Sequence, residues 1–130
     1  MNRRAALLLA AACVAGCGNP VHSHYSVKET APCLEKLGYT VDRDASDHGP
    51  VEASASEGAL LATEQGNAVV ITFSANAREA TNIRRAYRRF APKKIRPHIT
   101  DVMNSQKNAV LRWTITPPRD ELDRVLGCLR

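Results

Sequence analysis

Four cysteines and four histidines are the side chains of this 130-residue sequence best suited to covalent, metal or proton chemistry. The histidines do not assemble into a metal centre. His22 and His24 flank one serine and could chelate together, but a structural zinc site needs four ligands on a rigid frame. His48 follows Asp42, Asp44 and Asp47 in an acidic segment. That segment lacks the tight alternation and the bidentate final acid of a calcium loop. Ser54 and Ser56 stand among alanine and glutamate with no positioned base, and no nucleophile elbow, zinc-protease helix or phosphate loop occurs. Neither a metal nor a cofactor is expected. What remains is the sulfur of the cysteines and a cationic run, Arg84, Arg85, Arg88, Arg89, Lys93 and Lys94, six cations in eleven residues.

The first two cysteines close an apolar segment. Residues 1–20 read MNRRAALLLAAACVAGCGNP. Arg3 and Arg4 make a positive start, and Ala5 to Gly16 is uncharged and apolar for 16 − 5 + 1 = 12 residues. About 20 such residues are needed to span a bilayer as a helix, so the run has the length of a secretory signal and not of an anchor. The usual twin-arginine pattern does not follow the paired arginines. Val14-Ala15-Gly16-Cys17 resembles the lipobox of bacterial lipoproteins: an aliphatic residue, two small ones, then cysteine. The resemblance implies cleavage after Gly16 and diacylation of the Cys17 sulfur, which would hold the protein at the cell membrane on its extracytoplasmic face. Each buried methylene contributes about 0.8 kcal/mol, and two or more chains are needed for lasting attachment. The alternative is ordinary cleavage after Ala10-Ala-Ala12 and free secretion.

Lipoprotein processing accounts for the remaining sulfurs. It would remove Cys13, acylate Cys17 and leave Cys33 and Cys128, an even number in an oxidising compartment. We therefore expect a Cys33–Cys128 disulfide clipping the first helix to the last. Without a C-x-x-C pair, a redox role is not indicated.

These groups need a frame. The sequence divides into a signal segment, 1–16, a lipid-anchored tether, 17–30, and one domain, 31–130. About 100 residues can bury some two-thirds of their unfolded surface and fold alone. Thr30, Pro32 and Gly38 bracket a first helix as cap, first-turn residue and C′ residue. Tyr39–Arg43 alternates as a short strand, 44–57 reads as a flexible loop, and Gly58–Thr63 as a weak strand. Glu64–Asn67 forms a turn. Ala68–Ser74 is β-branched and apolar on both parities, which marks a central strand buried on much of both faces. Asn76 and Glu79 have the spacing of a capping box, and Pro92 stops the helix that follows. Ala80, Ile83, Tyr87 and Phe90 line its apolar side and the four arginines the other. Ile99–Met103 and Ala109–Thr116 form a hairpin in which Leu111, Trp113 and Ile115 share the core face. Pro117-Pro118 opens a last helix with a stripe at Leu122, Val125, Leu126 and Leu129. The order α-β-β-β-α-β-β-α predicts an α+β two-layer sandwich, a mostly antiparallel sheet with helices on one face. The Cys33-Leu34 pair and the Gly-Cys-Leu-Arg ending are similar to small actinobacterial envelope proteins.

Charge is unevenly placed. Residues 17–66 hold 3 basic and 8 acidic side chains, 3 − 8 = −5; residues 67–130 hold 13 and 5, 13 − 5 = +8. A basic face near a lipid anchor fits headgroups or anionic wall polymer, each cation near an anionic membrane being worth about 1 kcal/mol. The bland reading is the solvated side of an amphipathic helix. Nucleic acid is not expected, since Tyr87 and Phe90 lie on the apolar stripe and do not interleave with the cations. The sequence thus points to a membrane-anchored envelope binding module of unknown ligand. An envelope hydrolase, marked by a deep polar pocket, and a spacer lipoprotein, marked by an exposed sheet face, are the alternatives.

Overall fold

The computed structural model describes residues 24–130. The signal segment, Cys13, Cys17, His22 and the first half of the tether, 17–23, lie outside the described residues.

Five antiparallel strands form the sheet, in the order β1 (Thr40–Asp42), β2 (Ala59–Glu64), β3 (Asn67–Phe73), β5 (Ala109–Trp113), β4 (Met103–Gln106). The helices are α1 (Val27–Lys36), α2 (Pro50–Ala53), α3 (Ala77–Phe90) and α4 (Arg119–Gly127). The α+β class, the antiparallel sheet and the expected order of its main elements hold, with α2 and two 3-10 turns added. Gln65 and Gly66, both at positive φ, close the tight β2–β3 hairpin.

The helices divide between the two faces, and this departs from the expected two-layer arrangement. Leu60 and Ala62, Val69, Ile71 and Phe73, and Leu111 and Trp113 form one core with Leu34 of α1 and Val125 of α4. The opposite parity, including Val110, packs with Met103, Val51 of α2 and Ala80, Ile83 and Tyr87 of α3. The physical reason lies in β3. A strand apolar on both parities exposes a hydrophobic stripe on each face, and each stripe must be covered.

Boundaries differ at several points. The folded unit begins before residue 31, because Tyr25 is 5% exposed in the core. Ser26, not Thr30, caps α1, its hydroxyl accepting from the Glu29 N–H. Thr30 lies buried inside the helix, where its hydroxyl donates to the Arg130 carbonyl and accepts from the Arg130 N–H. The expected loop 44–57 contains a 3-10 turn, Ser46–His48, and the single turn of α2, whose Val51 and Glu52 are buried. Residues 96–102, read partly as strand, form a 3-10 helix instead, and β4 starts at Met103. β5 ends at Trp113, so Ile115 leaves the core face and stands 58% exposed.

Cys33 and Cys128 are joined by a disulfide with Cα atoms 5.4 Å apart. It ties α1 to the residue that ends α4.

Candidate functional site

The cationic run is built by α3 and the turn after it. Asn76 starts the helix, its side-chain oxygen accepting from the Glu79 N–H at 2.9 Å. The reciprocal half of the capping box reaches one residue further than expected: Glu79 accepts from the Ala75 N–H, and also from the Ser56 hydroxyl at 2.6 Å. These bonds, Ser56 first, hold the Glu79 carboxyl below its ordinary range. The helix's outer surface is left to arginine once Ala80, Ile83 and Tyr87 face the sheet.

Arg85, Arg88, Arg89, Lys93 and Lys94 are exposed and Arg84 is half-buried. Among the described residues, no acid pairs with any of these six; the ion pairs involve other cations. The acidic half of the sequence therefore does not neutralise this ridge by contact. Arg96 has a different task. Its guanidinium donates to the carbonyls of Arg89 and Ala91 and closes the C-terminal end of α3, where a cation also opposes the helix dipole.

The end of α3 leaves apolar side chains in water. Phe90, expected on the buried stripe, is 62% exposed, and Ile95 in the turn is 50% exposed. Pro92 stops the helix immediately beyond Phe90 and Ala91. The result is an apolar pair set among Arg88, Arg89, Lys93 and Lys94. The Arg89 guanidinium stands 5.8 Å from the centroid of the Phe90 ring.

Phe90 and Ile95 form the lip of a cleft of about 220 Å³ between α2, α3 and the 96–102 turn. Val51, Tyr87 and Ile99 are among its walls, and its floor is polar. Glu52, 3% exposed, accepts there from the Tyr87 hydroxyl at 3.0 Å and from the Arg112 guanidinium at 3.1 Å, both at one carboxylate oxygen. Arg112 also lies 5.3 Å from the Tyr87 ring centroid. Burial, then the Glu52 charge, pushes the Tyr87 hydroxyl well above its ordinary pKa, with Arg112 opposing. His48 stands at the rim. This cluster was not anticipated. Its one sequence signal is Arg112, a charge between Leu111 and Trp113 on the parity shared with Val110, a parity now known to face α3. Glu52 was hidden in a segment read as solvated loop.

Other candidates stay apart. His48 lies 3.7 Å from carboxylate oxygens of both Asp42 and Asp47, and His98 pairs with Asp101. Among the described residues no three His, Cys, Asp or Glu side chains come together as a metal site. No described helix is long and apolar enough to cross a membrane.

No protein-family model matches this chain, and neither a curated protein nor a solved structure shows significant similarity to it.

Proposed function

We propose that the protein is a lipoprotein, acylated at Cys17 and held on the extracytoplasmic face of the cell membrane, whose folded domain binds an anionic envelope surface through α3 and the turn that follows. The observation that supports this most is the set of six cations on α3 and the turn after it, with no acidic partner among the described residues. Arginines meant only as a solvated helix face are commonly laced with acids three or four residues away, and α3 has a single acid, Glu79, in its first turn. The Cys33–Cys128 disulfide is in keeping with an oxidising compartment outside the cytoplasm.

The hydrolase alternative has two clefts to draw on: the one beneath Phe90, whose lining includes no serine, threonine or cysteine, and one of about 330 Å³ lined by Ser54, Ser56, Ser74 and Glu79, in which Ser56 donates to Glu79 and no histidine stands beside a serine to act as base. The spacer alternative asks for an open sheet face, and helices cover both faces.

Changing Arg84, Arg85, Arg88 and Arg89 together to glutamine tests the surface. In a Cys17→Ser background without the acyl anchor, retention on vesicles containing phosphatidylglycerol, or on wall extract, should fall by tenfold or more at low salt, following about 1 kcal/mol for each cation. Unchanged retention of a folded variant would remove α3 from the proposal. Intact-mass spectrometry of the native protein reads the anchor separately, through the mass of the acylated N-terminus.

A further inference from the structure

The two envelope surfaces that the ridge could meet, lipid headgroups and wall polymer, differ in one physical respect: only the bilayer has an apolar phase beneath its charges. We propose that Phe90 and Ile95 form a membrane-insertion tip, entering the interfacial zone of an anionic bilayer while Arg88, Arg89, Lys93 and Lys94 engage its phosphates. This rests on the binding reading above and names its surface.

Two observations carry it. The first is composition in space. Phe90 and Ile95 are among the most exposed large apolar side chains of the described domain, they share one cleft mouth, and four cations precede or separate them in the chain. An amphipathic edge with aromatic and aliphatic groups between arginines and lysines is the pattern of an interfacial contact. A hydrated polymer would leave both apolar groups in water.

The second is the geometry of attachment. Tyr25 is fixed at the β4–β5 turn, its N–H donating to Asn108 and its carbonyl accepting from the Asn108 amide. The same amide donates to the Ser74 carbonyl, just before α3 begins. The tether therefore enters the domain beside the first turn of α3. The tip lies at the far end of that 14-residue helix, about 20 Å away at 1.5 Å per residue. From Cys17 to Tyr25 is 25 − 17 = 8 residues, an extended reach of roughly 26–29 Å. The reach exceeds the helix length, so an anchored domain can lie with α3 along the bilayer, tether at one end and tip at the other.

Single tryptophans read the contact directly. Phe90→Trp and Ile95→Trp sit at exposed positions, and native Trp113 is 2% exposed and shielded. Asp123→Trp, on α4 across the sheet, serves as the remote position. The purified native protein is reconstituted into phosphatidylcholine vesicles with or without phosphatidylglycerol, using lipids brominated along the acyl chains. Tryptophan at 90 and at 95 should shift to the blue and be quenched in the anionic vesicles, and not at 123. In a Cys17→Ser chain, which carries no acyl anchor to mask the contact, Phe90→Ala with Ile95→Ala should weaken partitioning about tenfold or more, from the lost burial of two side chains. Quenching at 90 and 95 no greater than at 123 would overturn the tip, as would equal partitioning of the double alanine variant. If mass spectrometry shows no acyl chains, the lipoprotein reading fails by itself. Quenching measured with vesicles in excess still decides the tip.

Discussion

Glu52 brings a carboxylate to a place where only 3% of the residue meets water, and it is kept there by two donors on one oxygen. A buried charge with its partner removed is costly, whereas the pair itself adds little net stability. Arg112→Met should therefore destabilise the domain by about 1–3 kcal/mol, the lower end applying because a third of the Arg112 side chain reaches solvent. A shifted midpoint in urea unfolding at constant slope checks it. Tyr87 gives a pH signature. Its folded pKa is raised by burial and by Glu52, so its contribution is complete below the ordinary tyrosine value near 10 and is lost as pH rises past it. Tyr87→Phe should lose stability less steeply than the parent between about pH 10 and 11.5; equal slopes in denaturation at those two values would contradict the assignment. Neither residue could be paired from the sequence, because 60 positions separate Glu52 from Arg112 and nothing local marks the acid as buried.

At the scale of elements, the sequence was most legible where one short signal decides the outcome. Asn76 and Glu79 start α3, Pro92 stops it, and the parity of Leu111 and Trp113 places β5. It was least legible where tertiary packing overrides composition. DASDHGPVEA looks solvated, yet Val51 finds α3 and turns a polar stretch into a helical one. Ser26 captures the start of α1 because Tyr25 is drawn into the core, which moves the helix earlier than Thr30 and Pro32 predict. Phe90 fits the buried stripe by spacing alone, yet it lines the open cleft and stays 62% exposed, which its period could not show. The bridge between α1 and α4 has a measurable weight. It closes a separation of 95 residues, which the chain-entropy model values at about 4–5 kcal/mol. Cys33→Ala with Cys128→Ala should lower the unfolding free energy by up to that amount, and a thermal midpoint that does not move would show the clip to be inert.

For the molecule as a whole, the antiparallel sheet and the helix order followed from alternation and turn residues, while the distribution of helices did not. Both-parity burial in Val69 to Phe73 already required two covered faces, and that requirement outweighs the simpler architecture the element order suggests. The cationic ridge was legible as a list of residues; the exposed pair at its end and the cleft under it needed the fold. One further feature links residues far apart in the chain. The Arg130 carbonyl accepts from the Ser26 N–H at 2.7 Å, so the first and last described stretches meet. Joining them with a short linker and reopening the chain between Gln65 and Gly66 would keep every strand pairing of the sheet, since that hairpin lies at the surface. Under the anchoring we propose, it would also carry the point of suspension to the other end of β3, and so turn a molecule that reclines into one that hangs upright.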